Sequence, residues 1–269
     1  MMEGLSPLFA TSWPREVWRY RELFYFFAWR EVRLRYKQTV LGAAWAIIQP
    51  LFAMVVFTVL FGGFAKMPSD GIPHPIFYYS ALVPWMYFSG TLGYAGNSLV
   101  SNASLLTKVY FPRVALPASS VLSGLVDFCI ASIVLVAMMA YYGVRPSWRL
   151  LMWPVLVAPL AVLGLGVGML LAALNVRYRD IKHAMPFVTQ LWLFATPIIY
   201  PVSIVPERFR LVLALNPLTG LMEGFRASIL PDRQLDWHLL GMSLALTLGI
   251  FAVGAIYFRR TERSFADVI

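Results

Sequence analysis

Charge is what this chain has least of. Only 13% of its 269 residues are Asp, Glu, Lys or Arg, about half the share found in an average soluble domain. A soluble protein of this length needs charge to cover its surface, so the composition argues against one. Cysteine is nearly absent as well. Cys129 stands alone inside a hydrophobic interval, which excludes a disulfide framework or a cysteine metal site within one chain. The three histidines, His74, His183 and His238, have no acidic or cysteine neighbour at ligand spacing, and no metal site is expected. HExxH, GxSxG and CxxC do not occur, so metalloprotease, serine hydrolase and thiol-redox chemistry have no foothold, and no catalytic residue is assigned. GxxxxGK[ST] is missing too, so any ATP must be bound by another polypeptide. The first ~37 residues are aromatic and charged rather than a short apolar stretch before a small-residue cleavage site, and no removable signal peptide is expected.

What is present instead is long uncharged sequence. Residues 38–65, 75–107, 150–176, 184–206 and 239–258 contain no Asp, Glu, Lys, Arg or His, and 114–144 contains only Asp127. A bilayer core about 30 Å thick is crossed by ~20 apolar residues at 1.5 Å rise each. The fold class expected is all-α: a polytopic membrane protein with six transmembrane helices, an N-terminal amphipathic interface helix, and a re-entrant outer segment between spans five and six. Residues 1–37 form the cytoplasmic N-terminal segment, 38–260 the transmembrane domain and 261–269 a cytoplasmic tail.

The net charge of +9 raises the question of nucleic acid, and its distribution answers it. Of the 22 Lys and Arg, 15 lie in the N-terminal segment, around 108–113, at 177–182 and at 259–263. The other seven (Lys66, Arg145, Arg149, Arg208, Arg210, Arg226, Arg233) lie in the alternate loops. The positive-inside rule then puts both termini in the cytoplasm. Basic groups flanking spans match anionic membrane lipids, and no nucleic-acid partner is needed. From Arg15 to Lys37, Arg15, Arg19, Glu22, Arg30, Arg33 and Lys37 share one face, with Val17, Tyr20, Phe24, Phe27 and Leu34 on much of the other. That is an amphipathic helix at the interface, with Arg30, Arg33, Arg35 and Lys37 as its basic set near the first span.

The spans are expected at about Val40–Phe64, within 75–107, near 116–142, near 150–174, at 184–203 and at 238–258. The polar stretch Asn97 to Thr107 extends the second span into the cytoplasm. Pro186, Pro197 and Pro201 should kink or break the fifth. Between spans five and six, the apolar run Leu211 to Met222 is interrupted by Asn216-Pro217 and Gly220 and is too short to cross. A full span there would carry Arg259, Arg260 and Arg263 outside, so residues about 205–235, with Asn216, Pro217 and Glu223, read as re-entrant from the outer side.

Few residues invite chemistry. Asp127 is the one intramembrane acid and has no intramembrane basic partner in the sequence pattern. It reads either as a packed, hydrogen-bonded group or as the carboxylate of a proton-coupled carrier. Gly164, Gly166 and Gly168 lie mid-span, where small residues let helices approach closely. No internal repeat is visible, against an inverted-repeat carrier. Two short cytoplasmic loops, 103–113 (Leu105, Leu106, Lys108, Val109, Tyr110, Phe111, Arg113) and 175–181 (Arg177, Arg179, Asp180), mix basic, aromatic and apolar groups and suit docking to a partner.

These segments resemble the transmembrane subunit of polysaccharide exporters of the type-two ATP-binding-cassette class. Arg35-Tyr36-Lys37-Gln38-Thr39-Val40-Leu41-Gly42-Ala43-Ala44-Trp45 with Gln49-Pro50 resembles the family's approach to its first span. Lys108 to Pro112 resembles its second cytoplasmic loop, Asn175 to Asp180 the loop before span five, and Asn216-Pro217 the outer segment. The resemblance covers roughly residues 20–260. It implies a homodimer, two copies of a separate cytoplasmic ATPase holding ATP and Mg, no cofactor on this chain, the 103–113 loop as coupling helix, a central channel for a lipid-linked glycan (O-antigen, capsule or teichoic-acid type), and the bacterial inner membrane. Export of a lipid or drug by the same architecture, and a membrane-embedded enzyme acting on lipid-linked sugars, are the alternatives. A glycan path wants aromatic faces and neutral hydrogen-bonding groups. Trp45, Gln49 and Phe52 share one face, and Phe187, Gln190 and Phe194 another, at spacings of three and four. Both faces read as conduit wall, with helix packing or interfacial belts as the ordinary alternative.

Overall fold

The computed structural model describes residues 18–37, 42–108, 111–229 and 234–265, and among them every regular element is helical. Helix α1 (Arg21–Tyr36) lies beside the bundle. Helix α2 (Trp45–Phe57) is led in by a 3-10 turn at Gly42–Ala44 and continued by a π-turn stretch, Thr58–Phe64. Then follow α3 (His74–Ser101), the short α4 (Ala103–Lys108), α5 (Ala115–Tyr141) and α6 (Met152–Arg177). The chain closes with α7 (Ile181–Ala195), α8 (Glu207–Ala214), α9 (Pro217–Ile229) and α10 (Trp237–Thr261). Val40, where the first span was expected to begin, lies outside the described residues.

Among the described residues, four segments are long and apolar enough to cross a membrane: Gly42–Phe64, Ala115–Tyr141, Trp148–Arg177 and Trp237–Thr261. Helix α3 has the length, 28 residues or about 42 Å at 1.5 Å per residue, but is less apolar. Its position explains this. It packs against α2, α5, α6, α7 and α9, so Tyr78, Tyr79, Ser80, Thr91 and Ser98 are buried against protein. Three of them find hydrogen-bond partners: the Tyr79 hydroxyl donates to the Ala131 carbonyl at 3.2 Å, the Ser80 hydroxyl to Phe77 at 2.9 Å and the Ser98 hydroxyl to Ala95 at 2.7 Å, while the Tyr78 and Thr91 hydroxyls are buried without one among the described residues. Helix α7 has 15 residues and stops where Thr196 turns extended, at ψ 139°. Thr196 precedes Pro197, whose ring disfavours the α region for the residue before it. Pro186, by contrast, is accommodated inside the helix.

Close approach of helices is what the Gly164–Gly168 stretch provides. A Cβ on Gly254 of α10 would lie 2.1 Å from the Gly166 carbonyl oxygen, and one on Gly168 would lie 2.7 Å from the Ala95 Cβ of α3. Small residues thus seat α6 between α3 and α10. One apolar core fills the body of the bundle, including Phe77, Phe88, Trp153, Leu163, Phe225 and Met222. A second gathers at the end that carries Lys108, Arg113, Arg177 and Arg259, built from Phe24, Phe27, Leu106, Phe111, Phe258 and Phe265. This basic end and the opposite, far end are the two poles of the molecule.

Candidate functional site

Helix α5 presents Ser119, Ser120, Ser123 and Asp127 at spacings of one, four and eight, which places them on one face. Helix α1 answers with Glu31, Arg35 and Tyr36. The Glu31 carboxylate accepts from the Ser119, Ser120 and Ser123 hydroxyls at 3.2, 3.0 and 3.0 Å. Arg35 forms an ion pair with Asp127, reaches the Ser123 hydroxyl at 3.3 Å, and lies 4.3 Å over the Tyr94 ring of α3. The Tyr36 hydroxyl donates to the second Asp127 oxygen. Burial, and then that carboxylate, raise the Tyr36 phenol above its ordinary pKa, so it remains the donor.

The structure adds two particulars. Asp127 has a basic partner, Arg35, which reaches it from helix α1 rather than from another span. Along α1, Phe24 and Phe27 are buried against the bundle and Leu34 is 63% exposed, while Arg35 turns inward. Arg30 also reaches across, donating to the Asn102 side chain. The hydroxyls and carboxylate on α5 need partners once covered, and that need outweighs burying one leucine. Arg33 and Lys37 stay exposed, and Val17 lies outside the described residues.

Beyond this clasp, α1, α2, α3 and α5 enclose an open groove of about 990 Å³. Trp45, Gln49 and Phe52 line it together with Tyr94, Arg35 and Asp127. Trp45, Phe52 and Tyr94 leave 47%, 71% and 54% of their surfaces free. The other expected wall, Phe187, Gln190 and Phe194 on α7, is exposed too but lies outside this groove. Helices α2 and α7 flank α3 separately, so one chain does not bring the two faces together.

At the far end α8 and α9 form a helical hairpin whose tip is Asn216. The Trp192 indole donates to the Asn216 carbonyl oxygen at 3.0 Å, the Asn216 amide donates to the Thr196 hydroxyl at 3.0 Å, and the same Asn216 oxygen accepts from the Leu218 amide at 3.1 Å. One side chain therefore holds the end of α7 and the first turn of α9. Pro217 is buried beside it. Gly220 has no room for a side chain, because a Cβ would meet the Leu239 carbonyl at 2.4 Å. Arg226 is wholly buried. It pairs with Glu223 at 3.0 Å, donates to the Ile198 carbonyl at 2.7 Å, and lies 3.9 Å over the Phe77 ring. Sequence reading assigned Arg226 only as a loop charge; its i, i+3 spacing from Glu223 was the available signal. The serines opposite Glu31 were likewise missed, although their spacing from Asp127 marks one polar face.

The basic end holds the expected docking residues in two groups. Lys108, Arg177, Arg179 and Asp180 are exposed. Leu106 and Phe111 are buried in the second core, with Phe111 edge-on to Phe27 at 5.3 Å, and Leu105 is half-buried against it. The Arg113 backbone amide donates to Glu262 at 3.2 Å, and its guanidinium lies 5.9 Å over Phe265. Val109 and Tyr110 lie outside the described residues. No cluster of three or more His, Cys, Asp or Glu suited to a metal occurs among the described residues.

Comparison with known proteins gives this geometry a context. The family described as "ABC-2 type transporter" matches residues 22–230. The O-antigen export system permease protein RfbA of Myxococcus xanthus is 33% identical over 262 residues, covering 95% of this chain and 98% of that protein. A protein of the same name from Klebsiella pneumoniae is 26% identical, covering 89% and 92%. The polysialic acid transport protein KpsM of Escherichia coli is 22% identical, covering 87% and 92%.

Proposed function

The chain belongs to the ABC-2 type transporter family, and on that premise we propose that it is the membrane permease subunit of an ATP-driven exporter that carries a lipid-linked polysaccharide out of the bacterial cytoplasm. The observation that carries this is similarity along nearly the whole length to permeases whose names specify O-antigen and polysialic acid export. The chain acts as a conduit rather than an enzyme. ATP and Mg belong to a partner ATPase, and nucleotide there shifts this chain between states only through contacts that differ between them.

The remaining architecture follows as part of the proposal. Six spans cross the inner membrane, α3 and α7 joining the four most apolar segments, with both termini and the basic end in the cytoplasm. The α8–α9 hairpin enters from the outer side and returns. Two copies of the chain dock two ATPase subunits, through α4 and the loop at 178–180. In the dimer, the Trp45 and Phe187 faces become opposite walls of one path, which explains why a single chain leaves both open. Deleting the gene should abolish the surface glycan and cause the lipid-linked precursor to accumulate inside; a strain that still displays the glycan would refute the assignment.

A further inference from the structure

We propose that the cleft between α1 and α5 seats one membrane phospholipid, its acyl chain lying along Tyr25, Trp29, Leu122 and Val126 and its phosphate on Arg21. The cleft shares no lining residue with the groove of Trp45. The inference needs only that the bundle spans a bilayer, whatever it transports.

Three observations point to this ligand. The first is the lining. The cleft measures about 480 Å³, within the ~300–1,000 Å³ typical of small-molecule clefts. Among the described residues that line it, Arg21 alone is charged, and its guanidinium forms no ion pair among the described residues. The Ser123 hydroxyl is already committed to Glu31 at 3.0 Å. Trp18, Tyr25 and Trp29 leave 71%, 70% and 48% of their surfaces free, and Leu122 43%, which together make a contiguous apolar patch that calls for a cover. A glycan would find too few hydrogen-bonding groups there, and a diphosphate calls for several cations or forked contacts. One guanidinium under an apolar wall suits a single phosphate carrying a hydrocarbon chain.

The second is continuity with the lipid-facing side of α5. Its exposed residues Leu122, Val126, Cys129, Ile133 and Val136 follow one another at spacings of four, three, four and three, which is one stripe of a helix. The cleft opens at the foot of that stripe. The third is direction and length. Phe27 meets Phe111 just before α5, and Arg35 pairs with Asp127 twelve residues past Ala115. Helix α1 therefore climbs α5 from the basic end, with Arg21 at the headgroup level and Trp18 beside it at 5.4 Å, an aromatic placement usual at membrane interfaces. From Arg21 to Val32 the helix rises about 16 Å. One leaflet of a ~30 Å hydrocarbon core is ~15 Å deep. The cation and the apolar wall above it thus match the proportions of a phospholipid.

The test uses the full chain, purified in detergent, stripped of lipid by exchange and titrated with phosphatidylglycerol, with bound lipids counted by native mass spectrometry. One lipid per chain should bind saturably, ahead of any others. Val126→Trp, which fills the cleft, should abolish that first binding, while Ile133→Trp, on the same stripe but outside the cleft, should leave it intact. Arg21→Gln should weaken it about tenfold, the loss of one hydrogen bond to a charged group, and Arg21→Lys should recover part of the affinity. Glycerol phosphate, which lacks the chains, should not bind. Graded uptake with no saturating first lipid would overturn the proposal, as would equal effects of the two tryptophan variants or binding of glycerol phosphate alone. So would a disulfide between two copies through Tyr25→Cys in a Cys129→Ser background, which would put a second copy in the cleft. If Val126→Trp does not accumulate, Arg21→Gln decides alone. Each of these results leaves the exporter reading standing, since none of them measures the glycan.

Discussion

At the scale of single residues, the buried charges are satisfied both within a helix and between helices. Arg226 is completely buried yet bonds Glu223 and the Ile198 carbonyl. Removing one partner of such a buried pair leaves the other charged and unmatched, at roughly 3–5 kcal/mol. Arg226→Leu should therefore destabilise the detergent-purified protein by about 3 kcal/mol, read as a lower Tm; an unchanged Tm would show that the guanidinium is not holding the hairpin. The Arg35–Asp127 pair permits a sharper measurement, because both members are removable. Arg35→Leu or Asp127→Leu alone strands a charge beside the groove, whereas the double variant strands none. The double variant should be more stable than the sum of the two single losses by ~1–3 kcal/mol. Additive losses would mean that the pair is uncoupled and the clasp rests on the Glu31–serine contacts.

At the scale of elements, glycine contact and chain breaks fix the arrangement. Gly254→Val would force a side chain into the Gly166 carbonyl, 2.1 Å from its Cβ. It should cost α6–α10 packing at least the ~1–3 kcal/mol of an overpacked core, visible as loss of monodisperse protein on size exclusion, while Gly241→Val, with open space around it, should be tolerated. Much of this arrangement is legible in the sequence. Uncharged intervals bounded by Arg and Lys locate the long helices, because exclusion of charge from lipid acts on each segment separately. Gly164, Gly166 and Gly168 announce close packing for a similarly local reason. The inward turn of Arg35 is not legible that way. Its partner Asp127 is 92 positions distant, and periodicity within α1 shows only that its charges share a face, not that another helix covers them with hydroxyls. The break in the fifth interval is half legible. Three prolines announce it, but only the packing of Asn216 against Trp192 and Thr196 places it before Pro197 rather than at Pro186. The α8–α9 hairpin gives a test of sidedness. Single cysteines at positions 208–212 should react with an impermeant reagent added outside, and those at 177–182 should not. Labelling at 177–182 would invert the proposed topology.

For the whole molecule, the account is of a conduit driven from its basic end. Lys108, Arg177 and Arg179 are exposed there, while Phe111 and Phe265 lie in the core beneath them. With the partner docked on this end as proposed, a push there would reach α1 through the Phe27–Phe111 contact and α10 through the Phe258–Phe265 contact. Charge reversal at Lys108 or Arg179 should leave the purified chain folded yet weaken ATPase assembly or uncouple hydrolysis from export, read by co-purification and by hydrolysis measured alongside transport. Normal export in both variants would place docking elsewhere. The central claim is that glycan movement through this chain is powered by ATP on a partner. The direct measurement is transport of the lipid-linked glycan into inverted membrane vesicles containing the chain with its ATPase. ATP should drive accumulation in the lumen, and vesicles whose ATPase cannot hydrolyse ATP should show none. Accumulation driven by a proton gradient without ATP, or undiminished in vesicles lacking the chain, would contradict the account.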